Sequence, residues 1–174
     1  MEMKNTLIIP ILLLIFSCST PKAVLNTNGI EEIGTLIDLL KEGRWKTYEN
    51  GKLISVGNYH NNQQTGNWKY FHPNGKIHRI GKFISDKQNG IWNYYFDNGN
   101  LLGNGELINQ ELHGLWRYYY KNGNLYTERF YDHGKLLDIR SCYDKNGGQI
   151  DCGRIIDGNG TLILHDVEIN TDTV

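Results

Sequence analysis

Two patterns of apolar and polar residues divide this chain. The first is an apolar run from Leu7 to Phe16, which follows a short polar opening with one lysine, Lys4. The second is alternation, the mark of strands whose successive side chains point to opposite faces. Trp92, Tyr94 and Phe96 share one face of such a strand, and Ile91, Asn93 and Tyr95 share the other. In the next segment Leu101, Gly103, Gly105 and Leu107 share one parity, and Leu102, Asn104, Glu106 and Ile108 the opposite one. The tryptophan face is the richer and is expected to be buried.

The alternating part repeats. The four tryptophans, Trp45, Trp68, Trp92 and Trp116, are spaced by 23, 24 and 24 residues. Each stands two residues after a glycine (Gly43, Gly66, Gly90, Gly114) and three before an aromatic (Tyr48, Phe71, Tyr95, Tyr119). Each copy then reaches an Asn-Gly pair: Asn50-Gly51, Asn74-Gly75, Asn98-Gly99 and Asn122-Gly123. Another glycine follows in three copies, Gly57, Gly81 and Gly105, where the fourth has Arg129. Two residues on stands Tyr59, Phe83, Leu107 or Tyr131. Self-similarity at a fixed period is the signature of a repeat array.

Asn-Gly between strand-like segments predicts a hairpin, because both central residues of a type I′ turn take positive φ. With Asn98-Gly99 as a two-residue turn, Phe96 faces Leu101, Tyr95 faces Leu102 and Trp92 faces Gly105. With Asn74-Gly75 as the turn, Phe71 faces His78 and Trp68 faces Gly81. Each indole is then expected to lie across the glycine it faces. In the fourth copy Trp116 faces Arg129, as a cation–π pair or as packing on the arginine stem. The first copy is one residue shorter between Trp45 and Gly51, so its register differs or contains a bulge. The polar segments 85–89 and 109–113 read as turns joining the copies. The predicted fold is all-β, an elongated antiparallel meander of hairpins with a period of about 24 residues.

The ends depart from the pattern. Gly34 precedes Gly43 by nine residues, as Gly57 precedes Gly66, so residues 28–42 read as half a unit in strand form. Ile33, Leu36, Ile37 and Leu40 also recur at helical spacing, and Asn28 with Glu31 offers a capping box. Later glycines, Gly134, Gly147 and Gly160, lie closer together and suggest terminal hairpins without tryptophan. Cys142 and Cys152 stand symmetrically about Gly147. A three-residue turn over 146–148 sets them across a hairpin, while a two-residue turn sets Cys142 opposite Asp151. The pair is read as a disulfide or as two reduced, buried thiols.

The N-terminal run is an address. Ten helical residues rise about 15 Å, half of a bilayer core of roughly 30 Å. The run is therefore read as a signal peptide. Ile15-Phe16-Ser17-Cys18 resembles the lipobox of bacterial lipoproteins. That resemblance implies cleavage before Cys18 and lipidation of Cys18, and two or three acyl chains anchor a protein firmly. The plainer alternative is an ordinary signal peptide with a cysteine nearby. The expected division is a signal peptide at 1–17, a tether at 18–27, a repeat domain at 28–164 and a tail at 165–174. The expected location is the cell envelope, as a membrane-anchored lipoprotein on the periplasmic face or the outer surface.

Gly-x-Trp-x-x-aromatic, then Asn-Gly-x-Leu, then Gly-x-aromatic resembles the MORN repeat (membrane occupation and recognition nexus), in its bacterial second variant. Gly43-Arg44-Trp45, Gly66-Asn67-Trp68, Gly90-Ile91-Trp92 and Gly114-Leu115-Trp116 carry the opening. Residues 122–135 carry the rest. The resemblance spans 43–137 well and 28–160 loosely. It implies a binding or scaffolding module. Some bacterial members carry an antitoxin label, which does not transfer to a chain that opens on an export signal.

Composition and charge narrow the chemistry. The net charge is -1, which leaves no basic footprint for nucleic acid. There is no His-Glu-x-x-His, phosphate loop or serine elbow. His72 and His78 flank one turn and read as solvent-exposed turn residues. Asp144-Lys145-Asn146-Gly147 and Asp157-Gly158-Asn159-Gly160 share residue types with calcium loops but lack the closing Glu. No catalytic residue, cofactor or metal is expected. Tyr95, Tyr119 and Tyr126 are the candidate binding residues, on the less buried face. Exposed aromatics favour an envelope protein as partner. The same rings can stack on sugars, so a glycan-binding module is the alternative, and an enzyme with an unrecognised surface site is third. A contiguous patch of tyrosine with asparagine and glutamine favours glycan; a flatter, charge-rimmed patch favours protein.

Overall fold

The computed structural model describes residues 22–165. The expected signal peptide and Cys18 lie outside the described residues. Thirteen strands form one antiparallel sheet in which every strand pairs with its neighbours in chain order. They are β1 (Ala23–Thr27), β2 (Ile30–Ile37), β3 (Leu40–Glu49), β4 (Lys52–His60), β5 (Gln63–Phe71), β6 (Ile77–Ile84) and β7 (Lys87–Tyr95). The rest are β8 (Leu101–Ile108), β9 (Glu111–Tyr119), β10 (Leu125–Asp132), β11 (Lys135–Cys142), β12 (Gly153–Ile156) and β13 (Asn159–Leu162). Residues 28–42 take the strand form that the glycine register requires, with β2 over Ile30–Ile37, a turn at Asp38-Leu39 and the start of β3 at Leu40. Ala23–Thr27, expected to be tether, is β1 and pairs along its length with β2.

The turns differ from expectation. At Asn74-Gly75, Asn98-Gly99 and Asn122-Gly123 positive φ falls on the glycine and not on the asparagine. His72 N–H donates to Lys76 O (2.8 Å) and Gly75 N–H to His72 O (2.8 Å). These are three-residue loops closed by a left-handed glycine, the bulged hairpin form. The bulge moves the near-turn partners by one residue: Tyr95 faces Leu101, not Leu102, and Phe71 faces Ile77, not His78. Beyond it the register is as expected, with Trp68 facing Gly81 and Trp92 facing Gly105. The shorter first copy keeps a two-residue turn, with Asn50 and Gly51 both at positive φ. A register shift between Thr47 and Tyr48 restores Trp45 opposite Gly57.

The asparagines have another task. Asn98 Oδ1 accepts from Asn100 N–H at 2.9 Å, closing its own turn, and Asn98 Nδ2 donates to Lys121 O at 2.8 Å in the next turn. Asn74 and Asn122 do the same towards Asp97 O and Lys145 O. A side-chain amide carries both an acceptor and donors, so asparagine can close one turn and hold the next. On the other sheet edge the joining turns are two residues long, Ser85-Asp86 and Asn109-Gln110, all at positive φ. The residues after them, expected as loop, are already strands β7 and β9.

The indoles point the other way from expectation. A Cβ on Gly57 would overlap the Trp68 ring, and Gly34, Gly81 and Gly105 stand in the same relation to Trp45, Trp92 and Trp116. Each ring therefore covers a glycine of the preceding strand, not the glycine it faces across its own hairpin. The cause is Gly-x-Trp itself. Gly43, Gly66, Gly90 and Gly114 sit in mid-strand at positive φ between 64° and 74°. Between β4 and β5 the pairs Val56–Lys69 and Asn58–Thr65 leave Gly57 facing three residues, Gly66 to Trp68. That bulge throws the indole back over Gly57, and Trp68 Nε1 donates to the freed Asn58 carbonyl at 3.1 Å. Trp92 and Trp116 bond Lys82 O and Glu106 O in the same way. Arg129 follows from this geometry: no tryptophan comes after it, so no glycine is needed there. Its guanidinium lies over Tyr118 and Tyr126, at 5.3 and 5.8 Å from the ring centres.

Candidate functional site

The most organised surface is the tryptophan face. Ser55, Tyr70, Arg79, Tyr94, Gly103, Tyr118 and Thr127 are successive register partners from β4 to β10. They form one row across the sheet, two residues along from the tryptophans. Trp45, Trp68, Trp92 and Trp116 are buried, while Tyr59, Tyr70, Tyr94 and Tyr118 are half-buried. Tyr70 stacks on Trp68 with ring centres 5.9 Å apart, and Tyr118 on Trp116 at 6.0 Å. Tyr94 bridges Trp92 and Trp116 at 6.2 and 6.1 Å. The described residues form a single sheet, so no second layer seals these rings.

Two arginines join the aromatics. The Arg79 guanidinium lies over the Tyr70 ring at 4.2 Å. Arg79 Nε and Arg129 Nε are both buried and make no hydrogen bond. At the described strand positions of this face from β5 to β10 these two are charged and no carboxylate accompanies them. Gln64 Nε2 donates to Tyr70 Oη at 3.2 Å. Burial, then the charges of Glu32 and Tyr70, pushes the Tyr59 phenol up to about 12. Burial likewise raises Tyr70, Tyr94 and Tyr118, the last further through its neighbour Tyr131. The four hydroxyls stay neutral at ordinary pH and both donate and accept.

The three tyrosines singled out by sequence do not form one patch. Tyr95 and Tyr119 are half-buried on the opposite parity. Tyr126 is buried at 3% exposure, packed on Tyr120 at 5.2 Å, so it is a packing residue and not an exposed one. Tyr70, Tyr94 and Tyr118 share the tryptophan parity, which alternation alone marks as the buried face, so nothing local in the sequence signals their partial exposure.

Other candidates resolve into structure. His72 and His78 pack at 4.6 Å, the place that Tyr120 and Tyr126 occupy in the fourth copy, and His72 Nε2 bonds Tyr95 O at 2.8 Å. Both rings are half-buried rather than exposed. Asp144 Oδ1 accepts from Asn146 and Gly148 N–H at 2.8 and 2.9 Å, so its carboxylate closes a turn. Cys142 and Cys152 are bonded, with Cα atoms 6.0 Å apart. The turn between them is one residue earlier than expected, closed by Asp144 N–H to Gly148 O, and Cys142 O accepts from Ile150 N–H. Among the described residues, His113, Asp132 and His133 bring metal-competent donors together.

A single-sheet array of β-hairpin repeats is the class this geometry defines. The family model described as MORN repeat variant matches residues 41–61, 64–84, 88–109 and 112–133. The chain carries four MORN repeats of this variant; three of the matches end in a joining turn and the second ends at Ile84, the last residue of β6. No curated protein matches the chain. Among solved structures, Staphylococcus aureus TarM crystallised with fondaparinux, alpha-GlcNAc-glycerol and UDP is similar at 10% identity and a TM-score of 0.35. The similarity covers 67% of this chain and 21% of that one, so the chain spans about a fifth of its length. At that level the likeness says nothing of what this chain binds.

Proposed function

We propose that this chain is a non-catalytic binding module of the cell envelope that holds an acidic glycan on its tryptophan face. The observation that carries the reading is the row of Tyr70, Arg79, Tyr94 and Tyr118, with Tyr59, Gln64 and Arg129 on the same face. Half-open aromatic rings offer apolar surface to the faces of sugar rings. Neutral phenols and glutamine amides supply donors and acceptors for sugar hydroxyls. Two guanidiniums with no carboxylate beside them on this face of strands β5 to β10 favour a ligand bearing carboxylate, sulfate or phosphate. The envelope address rests on residues 1–18. A second reading, a scaffold for a protein partner, draws on Ile84, Ile91 and Leu115, exposed at 49%, 60% and 36%.

The test is titration of the untagged full chain in detergent with acidic and neutral polysaccharides of matched backbone, followed by tryptophan fluorescence. Acidic polymers should bind more tightly, and Arg79→Gln with Tyr94→Phe should weaken them at least about tenfold while leaving the melting temperature near that of the parent. Equal affinity for neutral polymers, or no effect of the two substitutions, overturns the acidic-glycan reading.

A further inference from the structure

We propose that His113, Asp132 and His133 form a binding site for a divalent transition-metal ion such as zinc. The site lies on the joining-turn edge of the sheet, on the face opposite the tryptophans, and is independent of the glycan reading. One donor atom from each residue lies within 4.8 Å of the others. Asp132 Oδ1 is 2.7 Å from His133 Nδ1 and 3.4 Å from His113 Nδ1. Four-coordinate zinc, with bonds of about 2.0–2.2 Å, holds its ligands roughly 3.4 Å apart, which small rotations of these side chains reach. His113 Nδ1 is buried and makes no hydrogen bond. A buried ring nitrogen that makes no hydrogen bond, 3.4 Å from a carboxylate oxygen and near a second imidazole, is a ligand atom in waiting. Two imidazoles with one carboxylate suit zinc, nickel or copper better than magnesium or calcium, which prefer oxygen. Glu106 is the register partner of His113, so another carboxylate stands beside the group.

The repeat supplies an internal comparison. The same three places hold Thr65, Ile84 and Ser85 in the second copy, and Asn89, Ile108 and Asn109 in the third. Building the hairpins therefore does not require this trio. In the first copy the places hold Glu42, His60 and Asn61. There Glu42 spends one oxygen on Asn61 N–H at 2.7 Å and the other on His60 Nδ1 at 3.1 Å, leaving one imidazole and no second nitrogen ligand. The fourth copy has two imidazoles on one acid. Its ion would join β9 to the turn after β10.

The untagged full chain in detergent should bind one equivalent of Co2+ with visible d–d absorption, and Zn2+ should displace it. His133→Asn keeps a residue that the third copy already tolerates at positive φ in this turn. It should weaken Co2+ binding at least about tenfold, as should Asp132→Asn, while His60→Ala leaves it unchanged. The proposal is overturned if Co2+ does not saturate, if His133→Asn binds it as the parent does, or if His60→Ala abolishes binding. Circular dichroism of each variant separates loss of a ligand from loss of fold.

Discussion

From β2 to β9 neighbouring hairpins are locked by rings lying on glycines; from β11 to β13 a covalent bond takes over. In the first region each indole fills the space above a glycine of the strand before; Trp68, Trp92 and Trp116 also satisfy a carbonyl of that strand freed by the bulge, while Trp45 bonds Glu42 O of its own strand. In the second no tryptophan follows, β12 and β13 are four residues each, and β11 meets β12 through a single register pair, Asp138 with Ile156. There Cys142 and Cys152 tie the last hairpin to the array. Short strands bury too little apolar surface to hold their own register. The array thus ends where its repeating lock ends, and a crosslink supplies what packing no longer does.

The largest effect should come from breaking the ring-on-glycine lock. Trp92→Ala should cost about 3–5 kcal/mol in urea unfolding. Gly81→Ala, which drives a methyl into that ring, should destabilise more than Gly123→Asn at a left-handed turn position, where an added Cβ meets only the Asn100 side chain at 3.8 Å. If Gly81→Ala is the milder change, the direction of indole packing is wrong.

Next comes the crosslink. Closing a loop with a separation of 10 residues is worth about 2–3 kcal/mol. Cys142→Ser with Cys152→Ser should therefore raise hydrogen exchange in β11–β13 and leave β5–β9 protected. Equal loss of protection in both regions would show one cooperative unit instead of two kinds of lock.

A smaller effect tests the asparagine ladder. Asn98→Ala removes one bond within its turn and one to the next, together about 1–2 kcal/mol. Asn98→Asp keeps the acceptor and loses the donor, so it should recover part of that loss.

The smallest concerns His78, whose ring is held below its ordinary value by burial and then by the charges of His72 and Arg79. A base with a lowered folded pKa binds fewer protons folded than unfolded. Its stabilisation is full above the unfolded value near 6.5 and declines as pH falls below it. His78→Leu, which copies Leu102 of the third unit, should flatten the thermal-stability profile between pH 7 and 5. An unchanged profile would assign that dependence to other groups.

Periodicity of Trp, Gly and Asn-Gly made the hairpins, their order and most of their register legible in the chain, because each signal acts within a few residues. The strand form of residues 28–42 was legible for the same reason, from Gly34. Contacts between successive hairpins were not. Nothing local tells Trp68 whether to cover Gly57 or Gly81; the bulge at Gly66 decides, and it exists only once β4 and β5 pair. One residue between the aromatic and Asn-Gly was enough to exchange a two-residue turn for a three-residue loop. Alternation placed Tyr94 with Trp92, but the accessibility of Tyr70, Tyr94 and Tyr118 depends on there being one sheet and no second layer. The closeness of His113 to Asp132 and His133 likewise belongs to the stacking of hairpins. Short-range residue chemistry determined the repeat, while the pairing of distant strands decided which side chains meet and which remain open to a ligand.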